Sequence, residues 1–330
     1  MRDRSAVRHG VALIALAAAI VAFVSPAAAR AAFPGSNGRI AYIGVPSYAT
    51  IHTDIFTVLP NGSGFEQLTD NGVSEYEPSW SSTGRRLTFI RGVAGTVGGY
   101  QVFKMNASGG NQTRVTHDDG IDSSPGFSPN GRRIAYAKDN LESADEDTPR
   151  RVSIFKIRPD GERKRRMVTG LVTAPEYSPN GERIVFSGIP KGKRHGGIWT
   201  IRPDGSDLSR LTAPYSNGYS DQSPSWSPDG RHIVFLRCHI DSSIHACSGD
   251  VYVMRANASH KHPIEPIYGS VSPTYSPAGD RIALSIHGEQ CVDIYTINVW
   301  GSDPRLVTHN CDAAQGGTAR QPSWQPVAGD

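Results

Sequence analysis

A phrase that opens on proline, reaches an aromatic two residues later and runs on into a Ser-Pro-turn-Gly sequence returns six times along the chain. Its occurrences are Pro78-Ser79-Trp80, Pro125-Gly126-Phe127, Pro175-Glu176-Tyr177, Pro224-Ser225-Trp226, Pro273-Thr274-Tyr275 and Pro322-Ser323-Trp324, with steps of 47, 50, 49, 49 and 49 residues between prolines. A regular period of this size marks a repeat architecture, in which each unit buries its apolar faces only against its neighbours.

Each unit reads as four short strands. The first carries the proline and the aromatic, and a turn such as Ser227-Pro228-Asp229-Gly230 closes a hairpin, with proline presetting φ and glycine accepting a positive φ. The second strand is apolar on nearly every position, as in Ile134-Ala135-Tyr136 and Ile233-Val234-Phe235, which suits a strand covered on both faces. A variable loop leads to a third strand, seen in Ile55-Phe56-Thr57-Val58 and Ile198-Trp199-Thr200-Ile201; after a second turn, a short fourth strand ends in Leu-Thr or Val-Thr, as at Leu68-Thr69 and Val115-Thr116. The 35 Gly, 23 Pro and low charged fraction of 20% agree with many tight turns, and no stretch beyond the leader has helical apolar spacing.

A single four-stranded meander cannot bury both its faces, and radial closure is the solution that leaves only short, protected edges. The ends of the chain fit it. Asn37 to Tyr42 reads as a unit lacking its first strand, whereas Gln321 to Trp324 reads as a first strand lacking its unit. The expectation is an all-β, six-bladed β-propeller of four-stranded antiparallel blades, closed by N- and C-terminal strands that share one blade. Proline has no ladder donor and suits a sheet edge or a strand's first residue, which places the proline strands innermost, along the channel. The aromatic in every unit is expected to pack between blades.

The first residues differ from all this. Arg2, Arg4 and Arg8 precede an apolar run from Val11 to Val24 and then an alanine-rich stretch, the form of a secretory signal peptide. Residues 1–31 are assigned to it, with cleavage after Ala29 or Ala31, and residues 32–330 to one propeller. The 14-residue apolar run falls short of the ~20 residues of a membrane span, and the mature chain is expected to contain none. Removing residues 1–29 takes three arginines and Asp3, a net +2, from the whole-chain +3 and leaves about +1. That near-neutral balance and the exported address argue against a nucleic-acid partner.

The phrases Glu77-Pro78-Ser79-Trp80-Ser81, Ser223-Pro224-Ser225-Trp226-Ser227-Pro228-Asp229-Gly230-Arg231 and Ile198-Trp199-Thr200-Ile201-Arg202-Pro203-Asp204-Gly205 resemble the WD40-like propeller repeat of TolB-like proteins. The resemblance spans nearly all of the mature chain and implies the fold. The same repeat occurs in the propellers of prolyl-oligopeptidase-like peptidases and of oligogalacturonate lyases, so it is weak for function. Family members that carry a separate N-terminal domain bind a lipoprotein in the periplasm. Here no room for that domain is expected between the signal peptide and Asn37, nor for a hydrolase domain after Trp324.

The variable segments all join second to third strands and gather on one face, as expected of a binding surface on a rigid scaffold. Residues just before the inner strands are expected to ring the channel mouth there: Glu75, Glu77, Asp122, Asp221, Gln222 and Arg320, with Tyr76 and Tyr219 as aromatic surface. Such a ring suits a basic peptide, a cation or a sugar; the alternative is that these groups cap turns and solvate loop ends. Cys238, Cys247, Cys291 and Cys311 make an even count in an exported chain and point to disulfides with three possible connectivities; Cys238 and Cys247 flank one loop, so the expected pattern is Cys238 with Cys247 and Cys291 with Cys311. A zinc site from Cys238, His239, His245 and Cys247 is the rival, although its spacing matches no zinc signature. No nucleophile elbow, His-Glu-x-x-His or phosphate loop is present.

The expected function is an exported, non-catalytic module, without cofactor or metal, that binds an envelope or extracellular protein, peptide or glycan as a monomer. The alternative is a polysaccharide lyase or hydrolase-like propeller with a metal or His/carboxylate site, for which His117, Asp118 and His309 are the candidates.

Overall fold

In the computed structural model, residues 33–45, 52–96, 98–141, 151–212, 219–239, 249–264, 270–288, 291–310 and 317–328 are described; the expected signal peptide over residues 1–31, Cys247, Cys311 and His245 lie outside them. The described residues hold β-strands and no helix, and none of them forms a helix long and apolar enough to cross a membrane.

The strands follow the expected meander. One sheet has the order β23 (Ala319–Val327), β1 (Ser36–Gly44), β2 (Asp54–Val58), β3 (Glu66–Gln67), so the first and last strands of the described chain are partners. Their antiparallel register sets Ile40 opposite Trp324 and Ala41 opposite Ser323, and the Trp324 indole Nε1–H donates to the Gly38 carbonyl at 3.1 Å. Next come β4 (Glu75–Trp80), β5 (Arg86–Gly92), β6 (Tyr100–Asn106) and β7 (Thr113–Arg114), then β8 (Ile121–Phe127), β9 (Ile134–Asp139) and β10 (Val152–Ile157). The long β11 (Arg165–Tyr177) serves two meanders: its first half pairs with β10 and its second with β12 (Ile184–Pro190), which leads to β13 (Ile198–Ile201) and β14 (Ser209–Arg210). β15 (Tyr219–Trp226), β16 (His232–His239), β17 (Gly249–Arg255) and β18 (His262–Pro263) follow. The last full meander is β19 (Ser270–Tyr275), β20 (Arg281–His287), β21 (Val292–Asn298) and β22 (Arg305–Leu306). Hydrogen bonding thus runs on between some meanders, through β11 and through single pairs such as Tyr100 with Ile121, giving sheets of four, eleven and eight strands.

Burial follows the repeat. Each of the six apolar clusters holds one repeat aromatic and joins the second and third strands of one meander to the inner hairpin of the next. Ala41, Ile43 and Ile55 pack on Trp80, Leu87 and Phe89. At the other end of the chain, Ala283 and Ile294 pack on Ile40, Tyr42 and Trp324. The inner strands touch in the same sequence: β4 with β8, β8 with β11, β11 with β15, β15 with β19, β19 with β23, and β23 with β4. The aromatics are therefore inter-sheet packing groups; a fully buried side chain of this size contributes roughly 2–3 kcal/mol.

Two features set the geometry of the inner strands. The residue before each repeat proline is left-handed: Glu77, Ser124, Ala174, Ser223, Ser272 and Gln321 have φ of 57, 53, 59, 50, 56 and 61°. Each such position coincides with a register shift against the second strand, so all six inner strands carry a β-bulge at the same place. A bulge bends the strand and increases its twist. Strand alternation then puts the two kinds of short turn on one face, and the loops from second to third strand and between meanders on the other.

Candidate functional site

The expected mouth residues lie within the inner strands rather than ahead of them. Glu75, Asp122 and Asp221 occupy one repeat position, three residues before the proline, and all three are buried. Each faces a cation on the second strand by direct pairing: Glu75 opposite Arg91, Asp122 opposite Lys138, Asp221 opposite Arg237. Arg91 Nε donates to Glu75 at 2.7 Å, Lys138 Nζ to Asp122 at 3.2 Å, and Arg237 grips Asp221 with two bonds of 2.7 and 2.9 Å. Burial raises the Glu75 carboxyl above the usual range, against the pull of Asn71, Thr69 and Arg91. Burial likewise pushes Asp122 up to about 6, with Lys138 and Thr116 opposing it. These carboxylates are consumed by partners within the fold.

Glu77 is also buried and links sheets at the bulge. Its backbone N–H donates to Gln321 Oε1 at 2.7 Å, and its carboxylate accepts the backbone N–H of Ser124. A side chain of one inner strand thus satisfies the bulged amide of the next, twice in succession. The Trp80 and Trp226 amides are held similarly, by Ser323 Oγ at 3.2 Å and Glu176 Oε1 at 2.5 Å.

The remaining expected residues stay nearer solvent. Tyr219 and Arg320 are exposed, and Tyr76 and Gln222 are half-buried. Tyr76 sits edge-on to Tyr100 with centroids 5.7 Å apart, and Gln222 Nε2 donates to Ser220 Oγ at 2.7 Å. Desolvation, with the Arg320 charge, lowers the His287 imidazole. The ring of free carboxylates read from the sequence becomes a ring of latched ones, with Tyr219 and Arg320 left on the surface.

The threonines ending the fourth strands are the functional part of this latch that sequence reasoning passed over. Thr69, Thr116, Thr212 and Thr308 each accept, through Oγ1, a backbone N–H near the start of a third strand, at 2.9 Å from Ile55, Val102, Ile198 and Ile294. Thr69 then donates to Glu75 at 2.8 Å and Thr116 to Asp122 at 2.5 Å, across to the following meander. The signal was available: a Leu-Thr or Val-Thr six residues before an acid.

The catalytic candidates do not converge. His117 and His309 share one repeat position, just past β7 and β22, the strands at the outer end of their meanders, and both are exposed. Asp118 pairs with Lys164 and lies 3.4 Å from Lys138 Nζ. Among the described residues no three His, Cys, Asp or Glu side chains are grouped to hold a metal ion. Three cavities lined by described residues, of about 610, 230 and 320 Å3, lie on the face of the short turns, between successive meanders.

A family model described as the TolB beta propeller domain matches residues 124–264. The Tol-Pal system protein TolB of Francisella tularensis subsp. mediasiatica (strain FSC147) is 30% identical over 264 residues, covering 78% of this chain and 55% of that protein. The chain therefore spans about half the length of the curated relatives it matches. Among solved structures, TolB from Acinetobacter baumannii superposes with a TM-score of 0.69 at 18% identity, over 88% of this chain and 67% of that one. A putative TolB from Agrobacterium tumefaciens does so at 0.61 and 18%, over 82% and 89%. Recurrent proline strands, aromatics between successive sheets and these likenesses agree: the chain folds as a TolB-like β-propeller.

Proposed function

We propose that this protein is an exported, six-bladed propeller that acts as a non-catalytic binding module, offering the face of its longer loops to an envelope or extracellular partner. The observation that carries the reading is the latch. Every expected carboxylate at the loop-face end of the inner strands is tied to a cation, a threonine or a neighbouring amide, which makes the inner ring a stiff platform and leaves contact-type side chains, Tyr219 and Arg320, on its surface. Protein, peptide and glycan partners all suit such a surface, and the Tol-Pal name of the relatives favours an envelope protein.

Closure into six blades is supported by the apolar cluster that joins Ile294 to Trp324 and by the bond from the Glu77 amide to Gln321. Disulfides Cys238–Cys247 and Cys291–Cys311 are part of the proposal. No free cysteine occurs among the described residues, and Cys238 and Cys291 are both disulfide-bonded. Export rests on the leader at residues 1–31.

A photo-crosslinking residue placed at Tyr219 or Arg320, and at Asp160 on the turn face as control, tests the surface in an envelope extract. One saturable adduct from the first two positions alone is expected. Equal adducts from both faces, or none, would overturn the surface, and turnover of acidic oligosaccharides by the purified protein would restore the enzyme reading.

A further inference from the structure

The blades are internal controls for one another, and one cleft departs from the rest at three positions at once. The residue just ahead of the first fully buried apolar residue of the second strand is arginine in five blades, at Arg39, Arg86, Arg133, Arg183 and Arg281, but His232 in the Trp226 blade. The third-strand residue that pairs two positions further along the second strand is Thr57, Lys104, Lys156, Thr200 or Thr296 elsewhere and Val253 here. In two other clefts that lysine crosses to the next blade, Lys104 Nζ to the Pro159 carbonyl at 2.6 Å and Lys156 Nζ to Pro203 at 2.5 Å. Val253 has no atom to make the crossing.

The third departure is on the far wall. The turn between third and fourth strands places Asn61, Ser108, Asp160, Asp204 and Asn257 at one position, and Trp300 there in the Tyr275 blade. Asn61, Asp160, Asp204 and Asn257 cap their own turns by accepting the N–H two residues on. Trp300 cannot, and Asn298 Oδ1 takes over by accepting the Trp300 and Ser302 amides. The indole is 76% exposed, a cost in apolar hydration that turn formation does not require.

Between these departures lies the cavity of about 320 Å3, lined by Asp229, His232, Val253, His262, Tyr275 and Trp300. Its size is at the lower end of small-ligand sites, about 300–1,000 Å3. The polar lining is mixed in character. His262 Nδ1 lies 3.0 Å from the His260 carbonyl, so it carries the proton and leaves Nε2 an acceptor. Asp229 Oδ1 accepts from Ser227 Oγ and the Arg231 amide, and neither its second oxygen nor the His232 ring has a hydrogen-bond partner among the described residues. An anion would meet Asp229, and a cation would meet no second carboxylate. Hydroxyl groups, which donate and accept, match the set, and a flat C–H face matches the open indole.

We propose that this cleft, on the face opposite the loops, is a binding site for an uncharged pyranose unit of a glycan, stacked on Trp300 and hydrogen-bonded by His232, His262 and Asp229. Trp80 and Trp324 are buried fully and Trp199 and Trp226 nearly so, which leaves Trp300 as the exposed indole for acrylamide to quench. The full mature protein is titrated with triacetylchitotriose, with maltotriose and with decaproline, read by acrylamide quenching and by calorimetry.

The expected result is that one trisaccharide saturates, protects the exposed indole and releases heat. Val253→Lys and Trp300→Asn each install a residue type the repeat already uses; the exposed Trp300→Asn should keep the wild-type thermal midpoint, Val253→Lys, at a buried position, should fold with a lowered one, and both should bind at least about tenfold more weakly. Saturation by neither trisaccharide up to about 10 mM, saturation by decaproline instead, or undiminished binding by the folded variants would each overturn the assignment.

Discussion

Replacing Lys138 by methionine probes the latch where its electrostatics are most exposed to test. Lys138 is almost wholly buried, with Asp122 at 3.2 Å and Asp118 at 3.4 Å from Nζ. Burial already holds the Asp122 carboxyl at about 6 against an ordinary 3.8, so ionising it in place costs about 3 kcal/mol more than in the unfolded chain. The sign follows: a raised carboxyl pKa lends stability that is whole below about pH 4 and lost as pH rises through about 6. Methionine keeps the length and apolar stem of lysine but removes the cation, which pushes Asp122 higher still. Breaking one side of a buried pair typically costs about 3–5 kcal/mol. Part of that returns when the acid can protonate, so the deficit of Lys138→Met against wild type should shrink by about 1–2 kcal/mol between pH 7.5 and 5.5. Urea unfolding at the two pH values measures both quantities. A deficit below about 1 kcal/mol at pH 7.5, or one unchanged at pH 5.5, would refute the assignment of Asp122 as a buried, cation-dependent latch.

Thr116→Val leaves the Val102 amide without its acceptor and Asp122 Oδ2 without its threonine donor, with Lys138 still on Oδ1, and should lower the unfolding free energy by about 1–3 kcal/mol in the same assay. Gly84 and Gly95 both have positive φ, 63 and 79°, yet a Cβ at Gly84 would lie 2.1 Å from the Pro326 carbonyl while one at Gly95 meets nothing within 4 Å. Gly95→Ala should therefore cost about 1 kcal/mol from backbone strain alone, and Gly84→Ala at least about 1–3 kcal/mol more. Removing β23 strips Trp324 from Ile40 and Tyr42, and gel filtration with circular dichroism should find the truncated chain aggregated or unfolded. Peptide mapping without reductant should recover Cys238 linked to Cys247 and Cys291 linked to Cys311; any other pairing rules that connectivity out.

What the sequence exposed and what it hid divide along physical lines. The repeat aromatics, the Ser-Pro-turn-Gly hairpins and the split closing unit were all legible, because packing and turn chemistry demand particular residue types at fixed spacing. The bulge before each proline was not. Glu77, Ser124, Ala174, Ser223, Ser272 and Gln321 share no side-chain chemistry, and a residue before proline ordinarily reads as extended. Missing it placed Glu75, Asp122 and Asp221 ahead of their strands as open mouth charges, when the pairing of strands brings each to a cation 16 residues later. The cations themselves, Arg91, Lys138 and Arg237, sit at the ends of apolar second strands, where only strand pairing shows which acid each one faces. Trp300 and His232 became visible as departures only once strand register had aligned the blades.

The antiparallel pairing of β1 with β23 carries the proposal that the meanders close into a ring. Nuclear Overhauser contacts in isotopically labelled protein test it directly. Cross-peaks between the backbone protons of Ala41 and Ser323, together with contacts from the Trp80 amide to Ser323, are what the shared sheet predicts. A β23 segment that pairs elsewhere, or whose amides exchange as fast as those of a free chain end, would contradict it.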